Sequence, residues 1–318
     1  MAKRVVHMAV SGAESPWREV GKVISRALSS QDYEFDLQTH ADLANARAVG
    51  KGQCELGVTM ATYFDWAALR LAGFEQETFE NDQFRVIAAV NRPSWMAAGV
   101  ERSAGISTLR DLIERKFPWN CLAFDSSNGL GMYADRLMEA HGFDRDDVRA
   151  WGGSWPGGFP IAEAHQPPKP DGSPSNAKQV AERGLINGFF HHIYWTSAWA
   201  RQVTTLLDLK FLQMEESAID SVIHRYGAEK MILPAKLFPG ADEDLVTLGW
   251  RHLYVYGTAQ TDAELVVGVI RALEGSAERI LENYHGLSYT AQMPKLRPGT
   301  QMHPAAEEYY RSRGAVPA

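Results

Sequence analysis

The sequence predicts an α/β fold in two lobes joined by two crossing hinge strands. Three observations carry this expectation. The chain opens on a strand, a polar turn and an amphipathic helix (RVVHMAVSGAESPWREVGKVISRAL), and the same device recurs within residues 105–159. After Pro93 the chain crosses over, and VTLGWRHLYVYGTA reads as a long strand returning antiparallel to the crossing one. The implied division is 1–94 plus 251–318 as lobe one and 95–250 as lobe two.

In lobe one, Val5 to Val10 are strand-like, Ser11-Gly12 form a turn, and Ser15-Pro16 is an N-cap followed by a first-turn proline. Val20, Val23, Ile24 and Leu28 then supply a helical stripe. Expected next are a strand (Glu34 to Gln38), a helix (Leu43 to Gly50), a strand (Leu56 to Met60), a further helical stretch and the strand Val86 to Val90. Near the C-terminus, TDAELVVGVIRALEGSAERILEN reads as one capped helix, with Asp262 or Thr261 as N-cap and Leu265, Val269, Leu273 and Ile280 as its apolar stripe.

Lobe two holds the most informative stretch. Residues 105–159 read as a short helix, a buried strand, a Ser-Ser-Asn-Gly turn and a long helix that Gly142 stops. A strand delivering such a turn to a helix start makes a cradle for a small anion, because free N–H groups and the positive end of the helix dipole both favour a carboxylate or phosphate. A simple capping role for Ser126 to Gly129 fits the local residues equally. Residues 152–178 are dense in Gly and Pro, their PPKPDGSPSN part cannot hold a helix or a central strand, and the segment reads as an insertion or lid.

At 318 residues, with 45% hydrophobic and 22% charged residues, the chain has ample core. A net charge of −7 without any basic stripe argues against nucleic-acid binding, and no apolar run is long enough for a membrane span. The start goes directly into the first strand with no clear secretory segment. The expected location is therefore the periplasm if the chain is a trimmed mature form, and the cytoplasm if Met1 is the native start. Cys54 and Cys121 are expected as free thiols, and two cysteines without ligand spacing make no metal site.

The chain resembles the TAXI-type solute-binding proteins, the receptor subunits of tripartite (TRAP) carboxylate transporters, nearly end to end. FRVIAAVNRPSWMAAGVERSAGISTLRDL matches that family's crossing strand and "GI-SL-DL" motif, FDSSNGLG takes the place of its "PGSGT" loop, and GLINGFFHHIYW that of its "G-IDAFF" strand. ILPAKLFPGADEDLVTLGW follows "IPAGTYPGQ-EDVPTVG", and MHPAAEEYYRSRG follows the C-terminal "HPGAERYY-E-G". The resemblance implies a two-lobed, periplasmic-binding-protein-like (type II) fold, a small organic anion as ligand, membrane permease subunits as partners, and no cofactor. The sequence departs from the pattern in its SGAESPW opening, in SSNGL, and in Asn187-Gly188 where an Asp is usual.

The candidate ligand residues are Ser11, Trp17, Asn45 and Met60 in lobe one, with Tyr63 beside them, and Ser126, Ser127, Asn128, His191, His192 and Trp195 in lobe two. An aromatic ring with amides and hydroxyls orients a small organic anion in a mostly apolar cleft. For Met60 and Tyr63, core packing is as good a reading. Strand alternation sends His191 and His192 to opposite faces, so regular strand cannot bring both to one site. Arg47, Arg92 and Arg201 could pair a carboxylate, although surface placement is the default for each.

Two functions compete. The first is a solute-binding protein that clamps a small carboxylate or amino acid between its lobes for a TRAP-type transporter, which needs a hinge and no catalysis. The second is a cytoplasmic enzyme on the same fold, a decarboxylase, dehydratase, isomerase or hydrolase acting on a small carboxylate. In it His191 or His192 would be general acid or base, with Glu163 and Cys121 as the other candidates. No nucleophile elbow or phosphate loop is present, and binding is the favoured reading.

Overall fold

The structure, a computed structural model, describes residues 3–12, 15–29, 32–40, 42–81, 83–155, 186–283 and 286–315. The chain folds into two compact units, residues 1–93 with 250–318, and residues 94–249. Two strands, β4 (Phe84–Glu101) and β9 (Leu245–Thr258), each run from one unit into the other.

Unit 1 is built on β1 (Arg4–Val10), β2 (Tyr33–Thr39) and β3 (Leu56–Met60), all parallel, with β9 antiparallel to β3. Each parallel strand delivers its carboxyl end to a helix: α1 (Pro16–Leu28), α2 (Ala44–Gly50) and α3 (Ala61–Leu69). β1 alternates little because its second half is sealed on both sides, with Met8, Ala9 and Val10 wholly buried, as central parallel strands are. α1 starts where Ser15 caps it and presents Val20, Val23, Ile24 and Leu28 to the core.

The C-terminal part of unit 1 differs from the expected single helix. Asp262 caps α9 (Ala263–Glu274) by accepting from the N–H of Leu265 at 2.9 Å, but Gly275 ends that helix, and Ala277–Asn283 forms a separate one, α10. α11 (Pro304–Ser312) docks on α9 through the hydroxyl of Tyr309, which donates to Glu274 at 2.7 Å.

In unit 2 the second half of β4 pairs antiparallel with β6 (Gly188–Tyr194) and β7 (Leu209–Phe211), and β5 (Cys121–Ala123) runs parallel to β6. β8 (Glu229–Leu233) pairs antiparallel with the first part of β9. Thr247 donates its hydroxyl to the carbonyl of Met96 at 2.6 Å, and a Cβ on Gly249 would meet the carbonyl of Ser94 at 2.3 Å. The numbers run in opposite senses, so β9 lies antiparallel to β4 there.

The helices of unit 2 are α4 (Leu109–Glu114), α5 (Gly129–Ala140), α6 (Arg145–Ala150), α7 (Ala198–Leu206) and α8 (Glu216–Tyr226). Its core gathers Trp95, Leu122, Ile186, Phe189, Ile193, Val203, Phe211, Phe238 and Leu245. β4 is one unbroken strand through Pro93, where the sequence suggests an end at Val90. Asn91 exchanges backbone hydrogen bonds with Ser288 just before the proline, and pairing with β6 resumes at Ser94 just after it. The missing N–H of Pro93 thus falls between two pairings.

Both cysteines are free. Most of the 152–178 insertion lies outside the described residues.

Candidate functional site

In an open parallel sheet, ligands bind beyond the carboxyl ends of the strands. In unit 1 these ends are Val10, Thr39 and Met60, and the expected residues gather around them. Ser11 directly follows β1. Ser15 Oγ accepts from the N–H of Trp17 at 3.2 Å, which fixes the first turn of α1 and so the placement of the indole. The Trp17 ring meets Tyr63 edge-on with centroids 6.2 Å apart, and Tyr63 in turn lies 5.4 Å from Trp66. Trp17 is 8% exposed.

Asn45 and Met60 are more deeply buried. Asn45 is at 0% exposure and donates Nδ2–H to the carbonyl of Val58 at 2.8 Å. That bond ties α2 to β3, a structural task, while its Oδ1 has no hydrogen-bond partner. Met60 is the N-cap residue of α3 and belongs to the core. Of the four expected residues, Ser11 and Trp17 follow the end of β1, and Asn45 and Met60 are buried.

The sequence reading passed over Asp65. It is buried in α3, and its Oδ1 has no partner. Burial is the main cause that raises its carboxyl to about 7, opposed by the charge of Arg297. The signal was available: a lone acid inside the apolar run ATYFDWAAL has no solvent-facing side to occupy.

In unit 2 the Ser-Ser-Asn-Gly turn is present, and two of its backbone donors are engaged within the turn. The backbone N–H of Ser127 donates to Asp125 Oδ1 at 2.9 Å, and that of Asn128 to the carbonyl of Asp125 at 3.0 Å. Asn128 Oδ1 caps α5 by accepting from Leu130 at 2.9 Å. Hydrogen bonds from the backbone and hydroxyl of Ser127 hold the Asp125 carboxyl below its ordinary value. The Asp125 carboxylate thus takes one N–H of the turn that the sequence offered to an external anion. An Asx-turn reading of Asp125-Ser126-Ser127 would have found it.

His191 and His192 alternate along β6 as expected, opposite Ala97 and Met96 on β4. Both are buried. The His191 ring packs on Phe124 with centroids 4.1 Å apart, and its Nδ1–H donates to the carbonyl of His192 at 2.7 Å. Since a carbonyl only accepts, this bond fixes the proton on Nδ1. His192 lies 5.8 Å from Tyr194. Trp195, just past the strand, is 54% exposed, and its carbonyl accepts from Arg201 at 3.2 Å.

Several expectations change here. Cys121 is at 0% exposure, and burial pushes its thiol well above the usual range, so it is no thiolate nucleophile. Glu163 lies outside the described residues. Arg47 pairs with Glu77 at 2.6 Å and stacks over Phe74, and Arg201 stacks 4.8 Å over Phe238. Arg92 is buried rather than at the surface. Among the described residues no group of His, Cys, Asp or Glu could hold a metal ion, and no helix is long and apolar enough to cross a membrane.

The chain belongs to the NMT1-like family, whose model matches residues 11–314. No curated protein matches it. Among solved structures it is similar to a protein from Bordetella bronchiseptica RB50, at 12% identity over 98% of each chain with a TM-score of 0.52. A Xanthomonas citri protein solved with a chloride ion gives 12% identity over 98% of this chain and 99% of that one, again with a TM-score of 0.52. A TctC solute-binding protein from Polaromonas gives 16% identity over 90% of each, with a TM-score of 0.47. The first two likenesses show a shared fold. That fold is mixed α/β.

Proposed function

We propose that the protein is a periplasmic solute-binding protein that receives a small organic acid, a carboxylate or amino acid, and hands it to a membrane permease of the tripartite type. The observation that carries this reading is the Trp17–Tyr63 pair, set in the first turns of the helices that follow β1 and β3. A flat apolar ring beside a hydroxyl and free strand ends is the chemistry that orients a small polar solute. Support also comes from what the acid–base candidates do: the Cys121 thiol is sealed, and one His191 nitrogen is committed to a backbone carbonyl.

The test is isothermal titration of the protein with a panel of C4 dicarboxylates, hydroxy acids and amino acids, repeated with Trp17→Ala. Saturable binding to one class, weakened at least tenfold in the variant, supports the proposal. Binding indifferent to Trp17 would remove the site from this end of unit 1.

A further inference from the structure

A second surface of unit 1 lies at the amino ends of β1 and β2. An open groove of about 840 Å³ is lined by Arg4 at the start of β1, by Asp32 and Tyr33 at the start of β2, and by one face each of α9 and α11. Seven strand residues separate it from Ser11, roughly 20 Å of extended chain, so it is not the solute site. On α9 the lining runs from Glu264 to Arg271, and on α11 from Ala305 to Ser312, each at the spacing of a single helix face.

The groove's lining carries three carboxylates, Asp32, Glu264 and Glu308, against two guanidinium groups, Arg4 and Arg271. Asp32, Glu264 and Glu308 are exposed, and none makes an ion pair or a side-chain hydrogen bond among the described residues. The two cations are occupied. Arg4 pairs with Glu55 and approaches Asp262 at 3.9 Å, and Arg271 lies 5.8 Å over the Tyr309 ring. Arg313 lies over the same ring at 5.0 Å, so two guanidinium groups already contact Tyr309. The groove is open along its length, and seven residues of helix wall make it about 10 Å long. That length suits a short stretch of polypeptide, and Gly268 and Ala305 keep the walls low enough for a backbone to approach.

We propose that this groove docks a basic segment of a partner protein, one whose Lys or Arg side chains meet Asp32, Glu264 and Glu308. The inference stands apart from the identity of the solute. Anionic lipid surfaces and nucleic acids are repelled by the same three carboxylates.

The test uses a benzophenone-tagged peptide, acetyl-Lys-Ala-Lys-Ala-Lys-amide, with the full chain. Photo-crosslinks mapped by mass spectrometry should fall within residues 263–271 and 305–312. Affinity at low salt should drop at least tenfold in Glu264→Gln/Glu308→Gln, and less than twofold in the charge-matched control Glu114→Gln/Glu282→Gln. A circular-dichroism melt checks that each variant is folded. Equal losses in both variants, crosslinks elsewhere, absence of binding, or spermidine binding as tightly as the peptide would each overturn the proposal.

Discussion

Ser127 donates its backbone N–H to the carboxylate of Asp125 two residues before it, across 2.9 Å. The turn that leads into α5 is therefore an anion site that holds its own anion. A further negative charge placed on this turn meets Asp125 first.

Replacing Asp125 by Asn keeps the size of the side chain and removes its charge. The carboxyl is held below its ordinary value in the folded chain, so its contribution is present above the unfolded value near 4 and is lost as pH falls through the folded value. Thermal melts of wild type and Asp125→Asn should accordingly differ at pH 7 and draw together as pH falls below 4. A constant difference across that range would show that the charge has no part in the turn.

Asp65 carries the opposite sign. Burial raises its carboxyl to about 7, so the folded state prefers the protonated form. Stability is then full below the unfolded value near 4 and declines as pH rises to about 7, staying at the lower level above that. Asp65→Asn should stabilise the protein on the order of a few kcal/mol at pH 8 and by little at pH 4. Denaturant unfolding at the two pH values is the measurement. An equal effect at both would remove the ionisation from the account.

The Asn187-Gly188 pair shows which departures from a family pattern have a structural reason. Asn187 Oδ1 accepts from the N–H of Asn120 at 2.7 Å, and its Nδ2 donates to the carbonyl of Pro118 at 3.0 Å, so it pins the approach to β5. An Asp could make only the first of these bonds. At Gly188 an added Cβ would lie 2.1 Å from Trp119 Nε1 and 2.3 Å from the carbonyl of Gly99. Gly188→Ala should lower unfolding free energy by about 1–3 kcal/mol or more, the scale of overpacking a filled core. Unchanged stability would mean that Trp119 has room to move.

Much of the scaffold was legible in the residues. The opening helix was marked by Ser15-Pro16 and the C-terminal one by Asp262, because caps act through local geometry. β3 was marked by its short apolar run. The continuous β4 was not legible, since only the partners on either side of Pro93 make that proline harmless. The break at Gly275 was not legible either, because the apolar stripe continues across it to Ile280. At the site, Trp17 could be placed from its cap. The tie that Asn45 makes between α2 and β3 was not legible, because it depends on a carbonyl distant in sequence. Arg92 looked like a surface residue and is buried, for no reason a local pattern contains.

The most direct measurement is an incubation of wild type and Trp17→Ala with the best-binding organic acid of the panel, following binding by titration and the fate of the compound by mass spectrometry. The account expects saturable binding by the wild type, weakened at least tenfold in the variant, with the compound recovered unchanged. Steady conversion of the compound by the wild type, abolished in His191→Ala or His192→Ala, would contradict it and make the protein an enzyme.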